Sequence, residues 1–384
     1  MMVVPKCKRE CTVNFELTQD EDMLKALIER FVVDHYDHES RRAFQAEPNG
    51  YSERNWQILG EMGLIAAPFA EELGGAGFDA TAIATMFEAL GRGLVVEPLA
   101  EAVMLAGRLF VAGAREHLLQ EWVGPLLTGE RRLALAHVET HGCDARLWVQ
   151  TRAAACADGI RLDGCKPYSI SGSGADGFIV SARTAGAPDD QEGVDLFLVP
   201  ADAAGLSVRK WRLVDGTFAA ALTLDGVIVP DTHRLEGGIA RLAEVEVLAA
   251  LARCAEAVGI MERMFADTLE YLRTRYQFGA ALGSFQAIQH RMVAQYAALE
   301  QSRALLNLAL VSWGSDGFAN AVCGARAFIA EASVNLGHEM IQFHGGMGVT
   351  DELAIGTGHK RLLLLSRWPE GPQAALDRYA GLLN

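Results

Sequence analysis

Apolar residues recur at intervals of three and four in the first third of the chain, as in Leu24, Ile28 and Phe31. This spacing places them on one face of a helix, which can then be buried. The pattern predicts helices over 15–35, 56–64 and 81–90.

Between about residues 131 and 232 the pattern changes to short apolar segments bounded by turn residues. Asp163-Gly164 and Asp225-Gly226 predict tight turns between antiparallel strands, because Asp-Gly favours such turns. None of the segments is long enough to supply the helix of a βαβ unit, so we predict a small β-domain. Its predicted strands are 133–138, 178–182, 196–200 and 221–229.

Helical spacing returns from about residue 233, over three longer segments. Phe285, Ile288 and Met292 begin one continuous apolar stripe. Long amphipathic segments joined by short glycine-bearing turns are typical of an antiparallel bundle. The predicted helices are 239–271, 285–310 and 318–343, and the fold class is therefore α+β.

Charge and cysteine content narrow the functional classes. The 384 residues include 34 Lys plus Arg and 49 Asp plus Glu, for a net charge of −15. With no long basic segment, nucleic acids and anionic membranes are poor partners. No apolar run reaches the roughly 18 residues that span a bilayer. The start lacks the apolar core of a signal peptide and the seven cysteines form no CxxC pair, so we expect reduced thiols and a cytoplasmic location.

One group of residues resembles a metal site only superficially. His137 and His141 are four apart with Glu139 between them. A helical zinc motif needs the Glu directly after the first His, and nothing nearby supplies a third ligand. We interpret the segment as a strand end and predict no metal.

A first cluster in the C-terminal part has the residue types of a phosphate or ring-binding site. Arg275 is followed by Gln277 and Phe278, and Phe285-Gln286 opens the next predicted helix. A guanidinium binds phosphate through two parallel hydrogen bonds, and a Gln amide can recognise a ring edge. The alternative is a helix C-cap with a surface arginine.

A second cluster follows about 65 residues later. Gln342 precedes a glycine-rich turn with Gly345, Gly346 and Gly348. Glycines leave backbone N–H groups accessible to a bulky ligand. The alternative is a plain helix stop.

Together the two clusters resemble the acyl-CoA dehydrogenase family, in which Arg-x-x-Phe-Gly with a following Gln, and Gln-x-x-Gly-Gly-x-Gly, hold FAD from neighbouring subunits. The order helical, β, helical bundle matches the family along essentially the whole chain. The segment 254–290 is most similar to small subunits of bacterial heteromeric enzymes, such as the pimeloyl-CoA dehydrogenase small subunit. Further matching segments are 68–77, 88–91 and 164–176.

The resemblance implies a helical N-terminal domain over 1–130, a middle β-barrel domain over 131–232 and a C-terminal four-helix bundle over 233–384. It implies an acyl-CoA substrate, an electron-transfer flavoprotein as partner, and either a homodimer or homotetramer or a heterotetramer with a large subunit. The residues implied to bind FAD are Arg275, Gln277, Phe278, Phe285, Gln286, Gln342, Gly345 and Gly346.

The resemblance also implies FAD-dependent α,β-dehydrogenation, in which a buried Glu removes the α-proton. The family register lands on Pro369, so Glu370 lies one place late. A second family position is Ala249 here, and Glu256 lies two turns further along the same helix. Alternatively Glu370 is an exposed loop residue and Glu256 is a structural acid paired with Arg253 or a neighbouring arginine. A chain with no base would be a non-catalytic or half-site subunit of a heteromeric enzyme.

The middle region departs from the family pattern at flavin-facing positions. Val138-Glu139-Thr140 replaces Thr-Glu-Pro, and Cys143-Asp144 replaces Ser-Asp. Tyr168-Ser169-Ile170 replaces Trp-Ile-Thr, so the threonine that usually meets the flavin is absent. Ser171, or Ser169, is the predicted substitute.

Overall fold

The computed structural model describes residues 17–139, 148–190, 192–350 and 352–382. Its N-terminal part is helical. The predicted helix over 15–35 begins at Gln19 because Thr18 and Glu21 form a capping box, each side chain accepting a hydrogen bond from the other's backbone N–H. Helices in this part are α1 (Gln19–His35), α2 (His38–Ala46), α3 (Glu53–Glu61), α4 (Ala80–Arg92), α5 (Arg108–Gly113) and α6 (Glu116–Thr128).

A π-helix over Ala100–Gly107 leads directly into α5, and all eight of its residues are buried. The sequence pattern does not predict it, because an almost continuous apolar run has no measurable period. Its second residue, Glu101, is a carboxylate within this apolar run.

The central region is one eight-stranded sheet with the order β6-β7-β3-β2-β4-β5-β8, and β1 pairs in parallel with β4. The four predicted strands are present as β1, β4, β5 and β7, whereas β2, β3, β6 and β8 were not predicted. The strands are β1 (Leu133–Ala136), β2 (Arg152–Cys156), β3 (Gly159–Ile170), β4 (Gly177–Arg183), β5 (Val194–Pro200), β6 (Leu206–Arg212), β7 (Phe218–Val229) and β8 (Arg234–Leu235).

The two predicted Asp-Gly hairpin turns are wrong. Both dipeptides lie inside strands, at an irregularity where the register of β3 against β7 shifts. Asp163 Oδ1 accepts the Gly226 N–H at 2.8 Å, which ties the two irregular segments together. A bulge and a tight turn favour the same residue types, so the dipeptide alone does not distinguish them.

The C-terminal part is built on the long helix α7 (Gly238–Thr274), which carries much of the core. It crosses α4 closely at two glycines: a Cβ at Gly91 would lie 2.3 Å from the Glu256 carbonyl oxygen, and one at Gly259 would lie 2.1 Å from that of Glu88. The remaining elements are the hairpin β9 (Tyr276–Gln277) and β10 (Ala280–Ala281), and the helices α8 (Gln286–Val311), α9 (Phe318–His344), α10 (Ala354–Arg367) and α11 (Pro372–Leu382).

Within the described residues, every helix is too short or too polar to cross a membrane. The four described cysteines are free thiols; Cys156 and Cys165 are exposed, and Cys254 and Cys323 are buried.

Candidate functional site

The first predicted cluster forms an exposed hairpin at the end of α7. Arg275 caps the helix through its backbone, and its side chain is exposed. Phe278, at φ 54°, sits at the turn with 89% of its surface exposed. A large apolar side chain held in solvent is available to another surface.

The second cluster ends α9 in a glycine-rich turn that is exposed and has open space beside it. Gly345 has φ 58°, a conformation that other residues rarely adopt. A Cβ at Gly345 or at Gly346 would meet no atom within 4 Å, whereas a Cβ at Gly348 would lie 2.6 Å from the Ile341 carbonyl oxygen. Gly348 therefore serves helix packing, and the other two glycines leave room for a ligand.

The two clusters are neighbours in space. The His344 ring stacks on Tyr271, one turn before Arg275, with centroids 4.3 Å apart. The Arg291 guanidinium lies 4.9 Å from the Phe343 ring centroid. We call their shared exposed residues the exposed cluster: Arg275, Gln277, Phe278, Gln342, Gly345 and Gly346.

A separate, narrow cleft lies where the helical parts meet the sheet. It is polar as well as apolar, and it contains three charged side chains. Its lining includes Tyr51, Glu101, Arg132, Ser171, Thr217 and Arg361.

Ser171 carries an unsatisfied hydroxyl in this cleft. Its Oγ is buried and has no hydrogen-bond partner among the described residues. Its backbone holds φ 65°, a conformation that costs free energy for a residue other than glycine. Ser169 is instead occupied, since its hydroxyl donates to the Leu135 carbonyl oxygen at 2.8 Å. Of the two predicted substitutes, Ser171 is therefore the one available to a ligand.

Glu256 is held by Arg361, a wall residue of the cleft. Arg361 Nε and Nη2 donate to the two Glu256 oxygens at 2.6 and 3.1 Å, and its Nη1 donates to Asp215 Oδ2 at 3.0 Å. Burial lowers the pKa of Arg361, but the two carboxylates outweigh it and raise the pKa above its ordinary value. Glu256 is thus a paired acid, as the structural alternative predicted, but the predicted partner is wrong: Arg253 binds Glu101 and Glu246 instead.

Glu370 is not an exposed loop residue, because only 3% of its surface is accessible. Its Oε1 accepts a hydrogen bond from Arg378 on α11, and Arg326 Nη2 donates to its backbone carbonyl at 3.0 Å. Neither Glu370 nor Glu256 is among the residues that line the cleft.

Glu101 is the carboxylate that lines the cleft, and sequence reasoning missed it. Arg253 binds both of its oxygens, at 2.6 and 3.0 Å, and a second acid, Glu246, at 2.6 Å. Trp368 Nε1 donates to Glu101 Oε2 at 3.1 Å. Trp368 is two residues before Glu370, so the Glu370 loop lies beside the cleft.

Two residues of the histidine segment, His137 and Glu139, lie in the described part of the chain, and each contacts a side chain of a neighbouring strand. Glu139 binds Lys166 Nζ at 2.7 Å, and His137 Nδ1 is 2.8 Å from Ser181 Oγ. Burial raises the pKa of Glu139, but Lys166 and Thr151 outweigh it and lower the pKa. No group of three or more metal-ligating side chains occurs in the described part. The predicted positions Thr140, His141, Cys143 and Asp144 lie outside the described residues.

Comparisons with known proteins agree with this geometry. Residues 18–130 match the acyl-CoA dehydrogenase N-terminal domain and residues 238–376 match the acyl-CoA dehydrogenase C-terminal domain. A relative from Pseudomonas fluorescens, L-prolyl-[peptidyl-carrier protein] dehydrogenase, is 30% identical over 79% of this chain and 83% of its own. The chain belongs to the acyl-CoA dehydrogenase family.

Two further relatives of this acyl-CoA dehydrogenase family member come from Mycobacterium tuberculosis. Acyl-CoA dehydrogenase FadE27 is 29% identical over 88% of this chain and 90% of its own. A chain of the ChsE4-ChsE5 complex superposes with a TM-score of 0.88 at 27% identity, covering 97% of this chain and 99% of that one. The predicted α+β order is confirmed by this likeness.

FAD is the cofactor of the acyl-CoA dehydrogenase family, and the residues present fit it. The open backbone at Gly345 and Gly346 and the exposed Arg275 guanidinium suit a bulky, phosphate-bearing group. The unsatisfied Ser171 hydroxyl suits a polar ring edge in the cleft.

Proposed function

We propose that the chain is a subunit of an FAD-dependent acyl-CoA dehydrogenase, which removes an α-proton and a β-hydride from an acyl-CoA thioester and passes the electrons to an electron-transfer flavoprotein. The exposed cluster carries this proposal. It leaves the Arg275 side chain, Gly345 and Gly346 in solvent, so it can complete a flavin site on another subunit. The relatives' names point to the same thioester chemistry.

The chain's own residues have distinct proposed roles. Arg275 would hold the cofactor phosphates, the open turn at Gly345 and Gly346 would make room for them, Gln277 and Gln342 would contact polar atoms of the cofactor, and Ser171 would meet its ring system. Phe278, Phe285 and Gln286 cover the ring and adenine moieties from the hairpin side. Bound FAD supplies the hydride acceptor.

Glu370 is the proposed base. An α-proton is too weakly acidic for a carboxylate in water, so the base must be buried and the thioester carbonyl must accept hydrogen bonds. Glu370 is buried, and its loop reaches the cleft through Trp368. Glu256 is a poorer candidate, because Arg361 binds both of its oxygens and an opposing charge favours the ionised carboxylate.

One observation favours a second function, a half-site subunit without a base. Both candidate acids bind arginines of their own chain, and neither lines the cleft. The similar ChsE4-ChsE5 structure is a complex of two different proteins. In that case this chain would contribute its exposed cluster to a partner's flavin.

Anaerobic titration of the purified FAD-loaded protein with a panel of acyl-CoAs tests the proposal. We expect the flavin absorbance of the wild type to bleach, and Glu370→Gln to bind FAD and acyl-CoA without bleaching, because the amide cannot take a proton. Glu256→Gln should bleach normally but unfold more easily, since breaking a buried ion pair costs about 3–5 kcal/mol. Bleaching by Glu370→Gln but not by Glu256→Gln would exchange the roles. A wild type that bleaches only after a second subunit is added would establish the half-site function.

A further inference from the structure

The charged residues of the cleft differ in how their charges are balanced. Glu101 is bound by Arg253, and Arg361 is bound by Glu256 and Asp215. Arg132 is the third charged residue of the cleft, and 4% of its surface is exposed. Its guanidinium forms no ion pair with any carboxylate in the described part of the chain.

The contacts of Arg132 fix its position without neutralising its charge. Nη1 donates to the Ser171 carbonyl oxygen at 3.1 Å, and Nη2 donates to that of Ser173 at 2.6 Å. The Tyr51 ring lies under the guanidinium, 4.7 Å from centroid to Cζ, and the Trp56 ring lies at 5.8 Å. Cation–π contacts offset part of the desolvation of a cation, but they leave its charge intact.

An uncompensated guanidinium is unusual at such burial, because buried charges in proteins are normally paired. Arg132 has five N–H donors in a planar fork, and the two carbonyl bonds use two of them. The neighbouring cleft residues are also polar, since the Ser173 hydroxyl donates to Asn49 Oδ1 at 3.1 Å. The Asp176 carboxylate accepts the Arg132 backbone N–H at 2.8 Å but forms no ion pair with the guanidinium in the described part of the chain. The cleft therefore presents a fixed cation with unused donors.

We infer that Arg132 is a specificity-determining residue for acyl groups that end in a carboxylate. The inference rests on the proposed function, because it takes the cleft, which would meet the flavin ring at Ser171, to receive the end of the acyl group as well. A terminal carboxylate would pair with the guanidinium and match its planar fork. An unsubstituted alkyl end would desolvate the cation and give it no partner, which lowers affinity.

The test measures binding to the FAD-loaded wild-type protein by calorimetry, using dicarboxylyl-CoA thioesters of five to eight carbons and monocarboxylyl-CoA thioesters of equal length. We expect the best dicarboxylyl ligand to bind about ten- to a hundredfold more tightly than its partner, the range for a hydrogen bond to a charged group. The 6-aminohexanoyl thioester should bind more weakly than the hexanoyl one. Equal or weaker binding of every dicarboxylyl ligand would overturn the inference.

Two variants locate the effect. Arg132→Met removes the charge, so its affinities for dicarboxylyl and monocarboxylyl ligands should differ by no more than about twofold. Arg132→Lys should retain part of the preference for dicarboxylyl ligands. Arg131→Met is the matched control: its side chain is partly exposed beside Glu121, away from the cleft, and should leave the ratio unchanged. A folded Arg132→Met protein that keeps the full ratio would contradict the inference. If Arg132→Met does not fold, the comparison of dicarboxylyl with monocarboxylyl ligands on the wild type tests the inference by itself.

The same titrations distinguish the two proposals. If monocarboxylyl ligands bind and dicarboxylyl ligands gain nothing, only the role of Arg132 fails. If no acyl-CoA binds at all, the proposed function fails and the inference fails with it.

Discussion

Arg275 leaves the end of α7 with its side chain in solvent, although the motif that contains it is one of the strongest sequence signals in the chain. Its backbone N–H closes the last turn by donating to the Tyr271 carbonyl oxygen at 2.8 Å. The helix cap therefore does not need the guanidinium, and a role outside the chain explains why an arginine suits this position.

Arg275→Ala should lose FAD while remaining folded. A charge-assisted hydrogen bond contributes roughly 1.5–3 kcal/mol, or about ten- to a hundredfold in affinity. Flavin content per protein after gel filtration, with circular dichroism as the check on folding, measures this. Arg273→Ala, which removes another exposed arginine two residues earlier, is the control and should keep its flavin. Equal flavin content in both variants would indicate that Arg275 only caps the helix and does not bind FAD.

Site residues could be predicted where they lie together in one short sequence motif. Arg275 and Gly345 belong to short motifs, so the exposed cluster could be found without coordinates. The partner of Glu256 could not, because Arg361 is 105 residues away and no spacing encodes the contact. Glu101 and Arg132 were missed for a related reason: neither belongs to a motif, and only burial and the cleft reveal them.

At the scale of elements, a buried carboxyl joins the ends of two N-terminal helices. Glu97 accepts a hydrogen bond from the hydroxyl of Tyr36, which caps α1, and one from the backbone of Ser52, the N-cap of α3. Burial raises the pKa of Glu97 from its ordinary 4.5 to about 7. The folded protein therefore holds this proton to a higher pH than the unfolded chain does.

The stability contribution of Glu97 should be complete below about pH 4.5 and should decline as the pH rises to about 7. Between pH 5 and pH 8 the wild type should lose roughly 2 to 3 kcal/mol of unfolding free energy through this group. Urea unfolding at both pH values measures it. Glu97→Gln should lack this decline, whereas Glu130→Gln, an exposed control, should retain it. Parallel pH profiles for the wild type and Glu97→Gln would contradict the assignment.

Helices could be predicted where apolar residues recur at helical spacing over a long segment. The helices α7, α8 and α9 begin and end within a few residues of their predicted bounds. The π-helix was missed because its apolar run has no period. The strand β3 was missed because its bulge at Asp163-Gly164 has the composition of a turn, and the partner strand decides between the two.

At the scale of the molecule, one residue, Asp215, connects all three regions beside the cleft. Gln45 of α2 donates to the Asp215 backbone carbonyl, and Arg361 of α10 binds the Asp215 side chain. Asp215 itself lies in the loop between β6 and β7, where its Oδ1 accepts the Thr217 hydroxyl at 2.7 Å. The cleft wall is therefore assembled by contacts between regions that are distant in sequence.

Among the residues that the structure describes, the exposed cluster has no such partner from another region. Phe278 and the open glycines face solvent, while the cleft with Ser171 belongs to another part of the molecule. A flavin bound by one chain alone would leave either the cleft or the exposed cluster unused. We therefore expect each complete flavin site to be formed by at least two subunits.

Sedimentation velocity recorded at both the protein and the flavin absorbance tests this claim most directly. We expect the flavin to sediment with a dimer or a larger assembly, formed by this chain alone or with a partner subunit. In the Arg275→Ala variant the flavin should be absent from that sedimenting boundary. A monomer that carries one FAD per chain would contradict it.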